Sequence, residues 1–240
     1  MVSFTGFVSV SATAASICMV GAPVVTVRKM EKQRSVGAMT PLYFSAQLAS
    51  CAVWSIYGVM QDAFGVILCN AIGNAIATYC LLVFLSVARR EEKSGHRIAN
   101  TTYKKSQTTV MIAISFIACA SLLIVCLASV KPPAAKTLNG LLGSCCSVFM
   151  LSSPLALAGA IIKNKNAEGL APLTITFALA NTSLWCLYAL LKRDIFIFVP
   201  NLLGIAACLF QFLLFFMYGQ KPAKAVAVKA AVAPLPFSGD

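Results

Sequence analysis

Residues 54–70 read WSIYGVMQDAFGVILCN, and residues 185–201 read WCLYALLKRDIFIFVPN. Each stretch has a tryptophan, a tyrosine three positions on and an asparagine sixteen positions on. Trp54 and Trp185 are the two tryptophans of the chain, 131 residues apart. The same register runs outward without a gap. Pro23 answers Pro154, Lys32 answers Lys163, Pro41 and Leu42 answer Pro172 and Leu173, and Gly73 answers Gly204. An internal repeat sets the architecture, so the fold is read from it first.

The chain has 240 residues, of which 59% are apolar and 11% charged, and its mean hydropathy is +0.85. A soluble domain is about 25% charged, so most of this surface faces lipid. Seven segments contain no acidic, basic or histidine residue: about 6–27, 41–60, 64–88, 107–130, 138–162, 171–191 and 195–218. A spanning helix needs roughly 20 apolar residues, and all seven are predicted to span. No amphipathic helices are visible that would cover them as a soluble bundle.

The net charge of +12 is a topology signal and not a nucleic-acid footprint. With the N-terminus outside, the cytosolic segments carry Arg28, Lys29, Lys32, Arg34, Arg89, Arg90, Lys93, Arg97, Lys104, Lys105, Lys163, Lys165, Lys221, Lys224 and Lys229. The outer loops carry Lys131, Lys136, Lys192 and Arg193. Fifteen against four is a positive-inside bias. It places the N-terminus outside and the C-terminus in the cytosol, with anionic lipid as a secondary contact. SATAAS in the first segment imitates a cleavage region, but the basic cluster follows it, as expected of an anchor. The ten cysteines all fall in predicted spans and read as small apolar packing residues. No metal ligand set or cofactor motif is apparent, and His96 stands alone in a cytosolic loop.

Both copies of the repeat place their basic loop on the cytosolic side, so they share one orientation. A three-helix unit ends opposite its start, and a parallel second unit needs one further crossing. The fourth segment supplies it. The predicted fold is an all-α membrane protein with seven transmembrane helices, arranged as two parallel three-helix bundles joined by a linker helix. The divisions are residues 1–90, the loop and linker helix 91–136, the second bundle 137–219, and a disordered cytosolic tail 220–240.

Parallel repeats around a membrane-normal pseudo-axis are a transporter design. GAPVVTVRKMEKQRSVGAMTPL, WSIYG and NAIG in the first half, with SSPLALAGAIIKNKNAEGLAPL, WCLYALLKRD and VPNLLG in the second, resemble the SWEET (MtN3/saliva) sugar transporters over about residues 6–220. The resemblance implies a small-molecule sugar as substrate, self-association into a homo-oligomer, and residence in the plasma membrane.

Asn70 and Asn201 sit within otherwise apolar helices. A buried amide left unpaired costs about 1–3 kcal/mol, and its carbonyl and NH₂ can accept and donate at once. Two asparagines related by the pseudo-axis face one central space, where they suit sugar hydroxyls. Trp54 and Trp185 lie several residues inside their helix ends and offer indole faces to the C–H faces of a sugar ring. Together the pairs form a two-fold clamp.

The family resemblance extends the pocket to Ser16, Met19, Ser147 and Met150, one and two turns before the inner prolines, and to Ser50 and Asn181, one turn before the tryptophans. Two methionines would narrow it, which favours a hexose over sucrose. Pro23, Pro41, Pro154 and Pro172 match the family's inner hinge and gate. Tyr57, Tyr188, Asp194 and Pro200 match its outer gate, with Tyr57 paired to Asp194. Cys69 stands where the repeat calls for a second Pro200, and Asp62 is one residue out of register with Asp194.

No ionisable side chain lies within a predicted span, and proton-coupled carriers use such groups. The expected function is bidirectional, facilitative sugar transport by alternating access, without ion coupling. The alternative is a proton-coupled exporter of amino acids or small solutes of the PQ-loop type. Such proteins carry Pro-Gln at the inner proline, where this chain has Pro23-Val24 and Pro154-Leu155. A receptor would not need paired tryptophans and asparagines, and an enzyme would need a nucleophile–base pair, metal cluster or phosphate loop.

Overall fold

The computed structural model describes residues 3–37, 39–95, 101–167 and 170–219. His96, the expected tail 220–240 and the side chain of Pro154 lie outside the described residues. Among those described, every regular element is helical: α1 (Phe4–Gln33), α2 (Leu42–Met60), α3 (Phe64–Lys93), α4 (Tyr103–Val130), α5 (Pro132–Met150), α6 (Ser152–Asn164), α7 (Pro172–Lys192) and α8 (Ile195–Tyr218). Side-chain caps start three of them. Ser3 accepts from the Gly6 N–H, Thr102 from the Lys105 N–H, and Asp194 from the Phe196 and Ile197 N–H groups.

Five helices, α1, α3, α4, α7 and α8, are long and apolar enough to cross a membrane. α1 and α3 have 30 residues each, about 45 Å at 1.5 Å per residue. α2 has 19 residues, with Ser45, Gln47 and Ser50 buried along it, and those polar side chains dilute its hydropathy.

The expected fifth span, 138–162, is not one helix. The chain breaks at Leu151 between α5 and α6. Pro154 has no N–H to give the carbonyl of Met150, four residues back, so the ladder fails there. Pro23, its counterpart in the repeat, stands inside an unbroken α1. The two copies therefore respond differently to the same missing donor.

Elsewhere the repeat is visible in the backbone itself. Arg34 and Lys165 end the first helices of the two copies in the left-handed region, at φ 52° and 50°. Asp62 and Arg193 do the same between the second and third helices, at φ 48° and 53°. Both pairs are 131 residues apart. Ala63 N–H then donates to the Gly58 carbonyl at 2.9 Å, as Asp194 N–H does to Ala189 at 2.9 Å. Ala63 is thus the structural equivalent of Asp194, and Asp62 the equivalent of Arg193.

Within the first half, α3 packs between α1 and α2; within the second, α8 packs against α7 on one side and α5 and α6 on the other. α3 presents one buried row, Val66, Cys69, Gly73, Ala77, Cys80 and Phe84, at the three- and four-residue spacing of a helix face. A methyl at Gly73 would lie 2.6 Å from Cys51 Sγ, and one at Gly204 would lie 2.7 Å from Thr182 Cγ2. The repeated glycine lets the second and third helices of each half approach closely, the usual role of small residues between membrane helices. α4 packs against α2, α3 and α5. The halves meet where α1 touches α7 and α2 touches α5. All ten cysteines are free.

Candidate functional site

A cavity of about 200 Å³ lies where the halves meet, lined by Ser16, Val20, Ser50, Trp54, Val66, Cys69, Asn70, Ser147, Asn181, Trp185, Ile197 and Asn201. Ten of these twelve fall into five pairs at the repeat offset: 16 with 147, 50 with 181, 54 with 185, 66 with 197 and 70 with 201. The cavity is built by the duplication.

Each tryptophan is held by the opposite half. Trp54 Nε1 donates to Ser147 Oγ at 3.0 Å, and Trp185 Nε1 donates to Ser16 Oγ at 2.7 Å. The Ser16 hydroxyl in turn donates to Asn181 Oδ1 at 2.8 Å. Ser50 stands in place of Asn181 in the other copy, so the chain of bonds is one link longer on the Trp185 side. Each indole also meets the following tyrosine edge-on, Trp54 with Tyr57 at 5.3 Å and Trp185 with Tyr188 at 5.4 Å.

The asparagines are fixed in a matched way. Asn70 Nδ2 donates to the Val66 carbonyl and Asn201 Nδ2 to the Ile197 carbonyl, each at 2.8 Å. These bonds to the preceding turn set the orientation of both amides, and neither Oδ1 has a partner among the described residues. The site therefore offers two amide acceptors, two indoles and serine hydroxyls, with no carboxylate, imidazole or amine among the described residues of its lining. Sequence reasoning missed Val66 and Ile197; their place one turn before each asparagine was the available signal.

Met19 and Met150 do not line the cavity; Val20 does. The size argument drawn from two methionines therefore has no footing in this geometry.

At one end of the bundle the Tyr57 hydroxyl bonds the Asp194 carboxylate at 3.0 and 2.9 Å. Gln61 Nε2 reaches Tyr57 Oη at 2.8 Å and Asp194 Oδ2 at 3.3 Å. Gln61 was not foreseen, although it lies one turn beyond Tyr57 on the same face. Tyr188 is buried; with Lys192 it lines the pocket of Tyr57, Gln61 and Asp194 and, together with Asp62, a neighbouring cavity of about 540 Å³. Pro200 is buried in α8.

The prolines lie toward the opposite end. Pro23 is half-buried inside α1, Pro41 is buried before α2, and Pro172 opens α7 half-buried. α6, which contains Pro154, packs only against α8 and α5 among the described residues and stands clear of α1, α2 and α3. The bundle is thus tied at the Tyr57 end and parted at the other.

The family described as sugar efflux transporter for intercellular exchange, MtN3/saliva, matches residues 6–92 and 137–223. The matched stretches start, and end, 131 residues apart. The chain belongs to this family, the SWEET transporters. It is 32% identical over 197 residues to the sugar transporter SWEET1 of Xenopus tropicalis, covering 80% of this chain and 83% of that protein. It is 27% identical over 217 residues to the bidirectional sugar transporter N3 of Medicago truncatula, covering 89% and 76%. It is 25% identical over 221 residues to the bidirectional sugar transporter SWEET16 of Oryza sativa subsp. japonica; there the match takes in 90% of this chain but 64% of the relative. A eukaryotic SWEET transporter shares its fold, with a TM-score of 0.75 at 20% identity over 89% of this chain and 96% of the other. SWEET membership and the five apolar helices together make this an integral, multi-pass membrane protein. SWEET proteins are transporters and not enzymes.

Proposed function

We propose that this chain is a bidirectional, facilitative sugar transporter that moves its substrate by alternating access between its two repeats. The observation that carries this is the cavity at the junction of the halves, where each tryptophan is clamped by a serine of the opposite repeat. A rigid indole face suits the apolar face of a pyranose, and the two free asparagine oxygens suit its hydroxyl donors. The names of the relatives and the family description support sugar as the substrate class. A hexose remains our preference over a disaccharide, supported now by the 200 Å³ cavity instead of the methionines.

The proposed arrangement is seven spans in the order three, one, three, with α5 and α6 together forming the fifth. The basic loops lie in the cytosol and the plasma membrane is the host. The Tyr57–Asp194 end is then the outer gate, closed here, and the proline end is the inner gate, open around α6. Pro23, Pro41, Pro154 and Pro172 form the hinge. Among the described residues no carboxylate or imidazole lines the cavity to carry a coupled proton, which favours a uniporter.

Reconstitution in liposomes tests this. Labelled glucose is expected to enter down its gradient, faster than sucrose and far faster than an amino acid, and equally with or without a pH gradient. Amino-acid flux driven by a proton gradient would overturn the reading in favour of the exporter class.

A further inference from the structure

We infer that Gln61 is a positioning residue of the outer gate, a latch that holds the Tyr57–Asp194 bond shut on one corner of the bundle. This rests on the transport reading above only in calling that end a gate. Asp194 takes two backbone N–H bonds from α8, from Phe196 at 3.0 Å and Ile197 at 3.2 Å. It is therefore rigidly part of α8. Tyr57 and Gln61 belong to the end of α2, where the Gln61 N–H itself donates to the Tyr57 carbonyl at 3.1 Å. The only polar strap between these two ends among the described residues is the three-membered cluster. In it the Tyr57 hydroxyl donates to the carboxylate and accepts from Gln61, which polarises the hydroxyl and strengthens the bond it makes. The Gln61 amide reaches both partners at once, so it fixes their separation.

The other corner of the repeat lacks both the glutamine and the carboxylate. Lys192 is the counterpart of Gln61, Tyr188 of Tyr57, and Ala63 of Asp194. At that corner no carboxylate caps the following helix, and α3 has no side-chain cap. No hydrogen bond joins Tyr188, Lys192 and Asp62 among the described contacts, and the three line a cavity of about 540 Å³. The outer end is therefore closed by one latch and not by a symmetric pair.

Hydrogen–deuterium exchange on the full chain in lipid nanodiscs tests this without relying on transport. Gln61→Leu keeps the bulk and removes the donor. Amides of the first turn of α8 are expected to exchange about fivefold faster, or more, for each hydrogen bond lost. Tyr57→Phe should do the same. The first turn of α3, at the other corner, should keep its wild-type rate. Gln61→Lys, which restores a donor of similar reach, should bring the α8 rate back to within about twofold of wild type. Unchanged exchange in Gln61→Leu, equal acceleration at both corners, or a Gln61→Lys variant as fast as Gln61→Leu would each overturn the proposal. Glucose flux measured on the same wild-type preparation separates the two readings. A protein that moves no sugar but shows the local exchange response keeps the latch and loses the transport assignment.

Discussion

Asn70 and Asn201 each commit one amide hydrogen to their own helix and leave the carbonyl oxygen without a partner among the described residues. The bond to the preceding turn matters because it decides which amide atom a ligand meets. Replacing either asparagine with alanine removes one hydrogen bond to a hydroxyl and also the extra bond to the carbonyl of the preceding turn. Each single variant is expected to raise the half-saturation constant for glucose by about threefold to tenfold, read by uptake into liposomes, with the maximal rate less affected. Because the two residues sit in matched positions, their effects should be similar in size. The asparagines and tryptophans were legible from the repeat, since two rare polar or aromatic residues in one register have few reasons to be there. The serines that clamp the indoles were placed by helix spacing and resemblance; that they do so across the halves is a three-dimensional fact, with partners 93 and 169 residues apart. Met19 and Met150 are not in the cavity lining, since helical spacing fixes a face only to within one position; beside Met19, Val20 stands there.

At the scale of elements, the break at Leu151 is where the halves part company. The sequence has the same proline in both copies, and spacing alone cannot say which helix bends. In the second copy the missing donor separates α5 from α6, and α6 stands clear of the first half. If that joint is the moving part, Pro154→Ala should restore the ladder and stiffen it. Maximal exchange flux is expected to fall by about threefold or more while the half-saturation constant stays within about twofold. Unchanged flux in Pro154→Ala would show that the joint does not move in transport. The repeated glycines make a second prediction. Gly204→Ala would push a methyl against Thr182 Cγ2, and overpacking of this kind costs about 1–3 kcal/mol. The detergent-solubilised variant should melt at a lower temperature, and adding Thr182→Ser, which removes that methyl, should restore most of the loss. The helices themselves were readable from hydropathy. The division of the fifth was not, because an apolar run looks the same whether its backbone ladder is intact or interrupted.

The whole molecule is a duplication that has kept its backbone and let its chemistry drift. Left-handed residues recur at the same offset, the glycine contacts recur, and five pairs of side chains enclose one cavity. Between the copies, Asn181 replaces Ser50, Asp194 replaces Ala63, and Lys192 replaces Gln61. The consequence is a site that is nearly two-fold at its centre and one-sided at its rim. Among its described lining residues the cavity has no ionisable carboxylate or imidazole to carry a coupled proton. Net flux of sugar should therefore follow the sugar gradient in either direction and be unchanged by a pH difference of one unit across the liposome, measured as initial rates of labelled glucose movement. A rate that followed the proton gradient would contradict the uniport assignment.

The most direct test of the central claim uses the tryptophans themselves, because the chain has two and both line the cavity. Intrinsic fluorescence of the purified protein should change saturably as glucose is added, without any added label. The change should disappear in the Asn70→Ala, Asn201→Ala double variant, whose tryptophans are intact. A signal that stays flat in the wild type at sugar concentrations that saturate transport would contradict the account, since a sugar held between these halves must lie against both indoles.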